Sequence, residues 1–130
     1  MINIDFLRAM GVWTVGFFAS IVVGYVVDPT GIFATVRDNI ILTITSIPLL
    51  AGLTYWYFAT PALKPSARAG FQLGAVMLVI SFIFGALGAV VFPAATELPP
   101  IPYEGYFLLV CVAIGLAVPA LVGWYMAKRA

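Results

Sequence analysis

Residues 69–92 read AGFQLGAVMLVISFIFGALGAVVF, and Pro93 follows. No charged side chain interrupts the run, and Gln72 is its most polar member. At ~1.5 Å of rise per residue, a helix of this length covers the ~30 Å hydrocarbon core of a bilayer. A strand reading fails on two counts. The run is continuously apolar where a membrane strand alternates, and an open sheet in lipid would leave backbone groups unpaired. The stretch is therefore read as a membrane-spanning helix.

Three other stretches repeat the pattern. The first apolar run goes from Phe6 to Val27 and stops at Asp28-Pro29. The second goes from Ile40 to Ala59, after Arg37-Asp38-Asn39 and before Thr60-Pro61. The fourth goes from Gly105 to Ala127 and is closed by Lys128-Arg129. The sequence thus predicts a single all-α integral membrane domain, an up-down-up-down four-helix transmembrane bundle. Its spans are 6–27, 40–59, 69–92 and 105–127, with outer loops 28–39 and 93–104 and an inner loop 60–68. The first run is read as a retained span and not a cleaved signal, because it exceeds a usual h-region and no A-x-A site follows.

Composition agrees. Of 130 residues, 64% are hydrophobic and 8% charged; a soluble domain is about 45–50% apolar and about 25% charged. Six basic and five acidic side chains cannot clothe a soluble surface of this size. The loops are too short for a second domain.

The charges give an orientation. With four spans, the N-terminus, the inner loop and the C-terminus share a side. That side holds Arg8, Lys64, Arg68, Lys128 and Arg129, and the other holds Arg37 with Asp28, Asp38, Glu97 and Glu104. Basic residues are retained in the cytoplasm during insertion, so both termini are expected inside, in a bacterial inner (cytoplasmic) membrane. Trp13, Trp56 and Trp124 fall toward the inner ends of their spans, beside Tyr55, Tyr57 and Tyr125. Tyr25, Tyr103 and Tyr106 fall toward the outer ends. This is the pattern of two interfacial aromatic belts.

Small residues at spacing four mark the expected packing faces, because helices in lipid associate by close backbone approach. Span one carries Gly16, Ser20 and Gly24. Span three carries Gly70 and Gly74, then Ser81, Gly85 and Ala89. Span four carries Cys111, Gly115, Pro119 and Gly123. Three such stripes exceed what one central seam requires, so one of them is a candidate partner interface. Pro48 in span two and Pro119 in span four each remove a backbone donor and favour a kink. Thr43, Thr45 and Ser46 lie just upstream of Pro48, placed to satisfy freed carbonyls.

Chemistry is sparse. No ionisable residue sits in the middle of any span, although such residues mark proton relays and ion paths. Asp5 and Arg8 can pair on the first turn of span one. Thr45, Ser46, Gln72 and Ser81 are the candidate polar contacts. Cys111 reads as a small core residue. The absence of histidine removes His-bound metals and haems and every His-based acid–base mechanism. No basic run could track a nucleic acid. Neither a cofactor nor a metal is implied, and a catalytic role is not expected. Of the outer loops, 31–37 is expected to lie along the interface with Ile32, Phe33 and Val36 dipping in. The stiff segment around Pro99, Pro100, Pro102 and Tyr103 is a candidate docking strip.

Size and span number resemble those of the small multidrug-resistance transporters. Their mechanism rests on a glutamate within the first span, and Gly11 to Gly24 holds no acid, so it does not carry over. The expectation is a non-catalytic accessory or scaffold subunit, with the bilayer and other membrane subunits or copies of itself as partners. The alternative is a homo-oligomeric transporter or channel for a neutral small molecule.

Overall fold

The computed structural model describes residues 4–30, 35–92 and 103–129. The described chain forms four helices: α1 (Phe6–Val27), α2 (Val36–Phe58), α3 (Ala67–Val91) and α4 (Glu104–Arg129). All four are long and apolar enough to cross a membrane. At most 22% of the most apolar stretch of any one is buried within the chain. A soluble bundle would bury a whole stripe of each helix. Leu7, Val26, Val90 and Leu109 are instead largely exposed, as a hydrocarbon solvent allows. The chain has the character of a multi-pass membrane helical bundle.

Local chemistry sets the helix ends. The Asp5 carboxylate accepts the Arg8 backbone N–H at 3.0 Å, and Thr35 and Ser66 accept from Asp38 and Ala69 in the same way. Each cap satisfies a backbone donor that the first turn leaves without a partner. Helix α2 starts at Val36, a turn ahead of the apolar run at Ile40. Its first turn, Val36-Arg37-Asp38-Asn39, is too polar to register by hydropathy, yet Asp38 suits the positive pole of the helix dipole. Val36 therefore belongs to a helix and not to an interfacial loop. Ser66 likewise starts α3 at Ala67, and Lys128 and Arg129 complete the last turn of α4, where cations are favoured.

Packing is uneven. Helices α3 and α4 pack most extensively, α4 also lies against α2, α2 against α1, and α1 touches α3 only lightly. The α3–α4 seam is built backbone on backbone. A Cβ at Gly70 would fall on the Pro119 carbonyl, one at Gly74 on the Gly115 carbonyl, and one at Gly123 on the Ser66 carbonyl. The two helices therefore run antiparallel. In the other pair, Leu53 of α2 fills the space beside Gly16 of α1. These contacts bring the start of α1, segment 59–66 and the end of α4 together at one end, here termed the basic end. The buried side chains Ala9, Val12, Leu53, Thr54, Tyr57, Phe58, Leu73 and Met77 lie toward it. Beyond Ser81 nearly every residue of α3 is exposed, and so is most of the first half of α4. The bundle is consolidated at the basic end and splayed at the other.

Candidate functional site: an apolar cleft closed at the basic end

The splay leaves a cleft of about 840 Å³ between the four helices. Trp13 and Phe17 line it from α1, Leu49 and Leu53 from α2, Phe84 and Gly85 from α3, and Ile114 from α4. It runs along α3 from Gly74 to Phe92. No charged side chain is among its described lining residues.

Trp13 defines its closed end. The ring is 8% exposed, stacks on Phe17 at 5.3 Å between centroids and tilts against Phe84 at 4.6 Å. Its Nε1–H donates to the Ser81 hydroxyl at 2.9 Å. Trp56 and Trp124, each 47% exposed, keep the half-exposed character of belt residues. Trp13 does not: it is a core residue that ties α1 to α3. Sequence position gives its depth but not its direction, which is why it reads as interfacial from the sequence.

The polar groups of the cleft are largely engaged. Ser81 donates to the Met77 carbonyl at 2.9 Å, and Ser46 donates to the Thr43 carbonyl at 2.6 Å. Thr45 donates to Leu42 at 3.0 Å and Thr43 to Asn39 at 2.7 Å. The hydroxyls upstream of Pro48 thus bond carbonyls of the preceding turns. They do not reach the Ile44 carbonyl, whose partner the proline removes. Back-bonding to the preceding turn is the easiest geometry for a helical Ser or Thr.

The four candidate polar contacts are not gathered. Ser46 and Ser81 line the cleft. Gln72 lies in a separate groove at the basic end with Lys64, Ser66 and Arg68. Thr45 is not among the residues lining either. The small-residue stripes also divide. Gly70, Gly74, Gly115 and Gly123 make the α3–α4 seam, and Gly16 receives Leu53. Gly24 is buried near the far end of α1. Ser20 and Gly85 line the cleft, and a Cβ at Gly85 would meet nothing within 4 Å. Ala89 is exposed, and Cys111 is exposed at the cleft wall and not in the core. Pro99, Pro100 and Pro102 lie outside the described residues. Tyr103 is exposed, adopts φ 58°, and offers its carbonyl to the N–H groups of Tyr106 and Phe107 as α4 begins.

A latch at the basic end has no counterpart in the sequence reading. The Arg8 guanidinium donates from Nε to the Tyr57 carbonyl at 2.8 Å and from a terminal nitrogen to the Trp56 carbonyl at 2.7 Å. The Tyr57 hydroxyl accepts the Asp5 backbone N–H at 2.9 Å. Asp5 therefore meets Arg8 through its backbone, while the guanidinium crosses to α2 and caps its last carbonyls. Sequence spacing favours the intrahelical partner, but carbonyls at a helix C-terminus are strong acceptors with lone pairs to spare; the Trp56 carbonyl takes the guanidinium in addition to the Ala59 N–H at 3.2 Å.

Among the described residues, no three His, Cys, Asp or Glu side chains converge as a metal ion would require. No family model matches the chain, and comparison with curated proteins and with solved structures finds no match.

Proposed function

We propose that the chain is a non-catalytic accessory or scaffold subunit of the inner membrane, with up-down-up-down topology and both termini cytoplasmic. The orientation is supported by the gathering of Arg8, Lys64, Arg68, Lys128 and Arg129 at the basic end. The subunit role is carried by one observation. At Gly85 and Gly88, α3 brings bare backbone to open space, with no atom within 4 Å of where a Cβ would stand. In lipid, helices are held by such close backbone approach, and a partner's transmembrane helix fits this surface better than its own neighbours do.

A photo-crosslinking residue at Gly85, irradiated in native membranes, tests the reading. The same probe at Val79, an exposed residue elsewhere on α3, is the control. A discrete protein adduct at 85 and none at 79 is expected. Lipid adducts alone at both positions, with recovery of a lone monomer in mild detergent, would overturn it.

The cleft volume favours one second reading, a transporter or channel for a neutral small molecule, since such sites span about 300–1,000 Å³. Against it, Met77 is a buried side chain of the cleft wall, and the buried side chains of Tyr57 and Leu73, which do not line the cleft, belong to the core toward the basic end. Proteoliposomes that pass none of a panel of neutral solutes would remove this reading.

A further inference from the structure

The basic end carries a second feature, independent of the cleft. A groove of about 790 Å³ lies between the end of α2, segment 59–66 and the end of α4. It is lined by Tyr55, Phe58, Lys64, Tyr125, Met126 and Arg129, among others. A smaller groove of about 290 Å³ adjoins it, and Lys64 lines both, with Arg68 and Gln72 in the smaller one.

The segment that carries Lys64 is held in place. Leu63 N–H donates to the Thr60 carbonyl at 3.0 Å, Ser66 caps α3, and the Ser66 carbonyl abuts Gly123. The cations here have little acidic company. Asp5 is the one carboxylate among the described residues at this end, and it is engaged by the Arg8 backbone. Arg8 is committed to α2, and Lys128 sits over the Trp124 ring at 4.1 Å from its centroid. Lys64, Arg68 and Arg129 remain, with Arg129 at 5.3 Å from the centroid of Tyr125. Half-exposed Trp56 and Trp124 mark the same level of the molecule as headgroup depth.

We propose that this groove binds the headgroup of an anionic phospholipid. Lys64 and Arg129 take the phosphate and its charge, and Phe58 and Met126 receive the first methylenes. Charge complementarity points to an anion, and the depth of the aromatics points to lipid as its source. Basic pockets between transmembrane helices hold anionic headgroups in this way. An acidic protein segment would meet the same cations, but it would have no use for the apolar wall at headgroup depth.

The test uses delipidated full-length protein in mild detergent. Phosphatidylglycerol, phosphatidylcholine or inorganic phosphate is added separately, with retained lipid read by native mass spectrometry and stability by thermal melting. Wild type should retain phosphatidylglycerol in preference to phosphatidylcholine, and its melting temperature should rise with the anionic lipid alone. The double variant K64Q/R129Q should lose roughly tenfold or more of that preference at an unchanged basal melting temperature. The control R37Q, at the opposite end, should keep it. Equal retention of the two lipids, stabilisation by inorganic phosphate alone, or an unchanged preference in K64Q/R129Q would each overturn the proposal.

Discussion

The indole N–H of Trp13 donates to the Ser81 hydroxyl at 2.9 Å, and that hydroxyl donates in turn to the Met77 carbonyl at 2.9 Å. This pair of bonds joins α1 to α3, which α1 meets far less extensively than it meets α2. It also fixes the ring that closes the apolar cleft. An indole on one span and a serine on another thus supply a contact that hydrophobic packing does not supply in lipid.

A double-mutant cycle measures that contact. Trp13→Phe keeps a ring beside Phe17 and Phe84 but removes the donor, and Ser81→Ala removes the acceptor. Interhelical hydrogen bonds in membranes average about 0.6 kcal/mol, and a coupling near that size is expected. Unfolding in mixed micelles gives the four free energies. Strictly additive single losses would show that the bond contributes nothing.

The glycines should separate into two classes. Alanine at Gly70, Gly74 or Gly123 places a methyl on a backbone carbonyl of the neighbouring segment, which cannot yield as a side chain can. Each should cost several kcal/mol or prevent folding, beyond the ~1–3 kcal/mol of ordinary overpacking. Alanine at Gly16 meets only the tip of Leu53, at 2.6 Å, and should cost less. At Gly85 or Gly88 nothing stands within 4 Å, so alanine should stabilise the helix by about 0.5–1 kcal/mol. Melting temperatures of the six variants in one detergent decide the ranking.

The latch at the basic end predicts a graded series at Arg8. Arg8→Gln removes two charge-assisted bonds to the end of α2 and should destabilise by about 1.5–3 kcal/mol. Arg8→Lys keeps the charge but not the fork, and should fall between. Tyr57→Phe removes the acceptor of the Asp5 N–H and should cost about 1 kcal/mol. Hydrogen exchange at the Asp5 amide should quicken in Tyr57→Phe and not in Tyr55→Phe.

The three tryptophans should report two environments. Single-tryptophan variants, with phenylalanine at the other two positions, isolate each ring. Trp56 and Trp124 should be quenched by a probe fixed at headgroup depth. Trp13 should emit at shorter wavelength and resist that probe. Equal headgroup quenching of all three would contradict the buried position of Trp13.

Much of the architecture was legible because it rests on transfer free energy along one dimension. Four long apolar runs, broken by Asp28-Pro29, Thr60-Pro61 and Pro93, suffice to mark four helices when the surrounding medium is lipid. Polar first turns such as Val36 to Asn39 escaped that reading, because capping is local hydrogen bonding and not hydropathy. The small-residue pattern named the glycines of the α3–α4 seam, but it named Gly85 and Ala89 on equal terms. Spacing alone does not say which stripe meets a neighbour.

The sequence by itself determined how many apolar helices form, where the cations lie along the chain, and which chemistries have no residues to perform them. Those follow from residue type and order. The tertiary structure decided which faces meet: that Trp13 turns inward to Ser81, that Arg8 crosses to the carbonyls of Trp56 and Tyr57, and that the bundle closes at one end and opens at the other. In a helix that is apolar all round, lipid and protein are nearly equivalent neighbours. The choice of face then rests on backbone clearance and a few hydrogen bonds, which become visible only when the helices stand together.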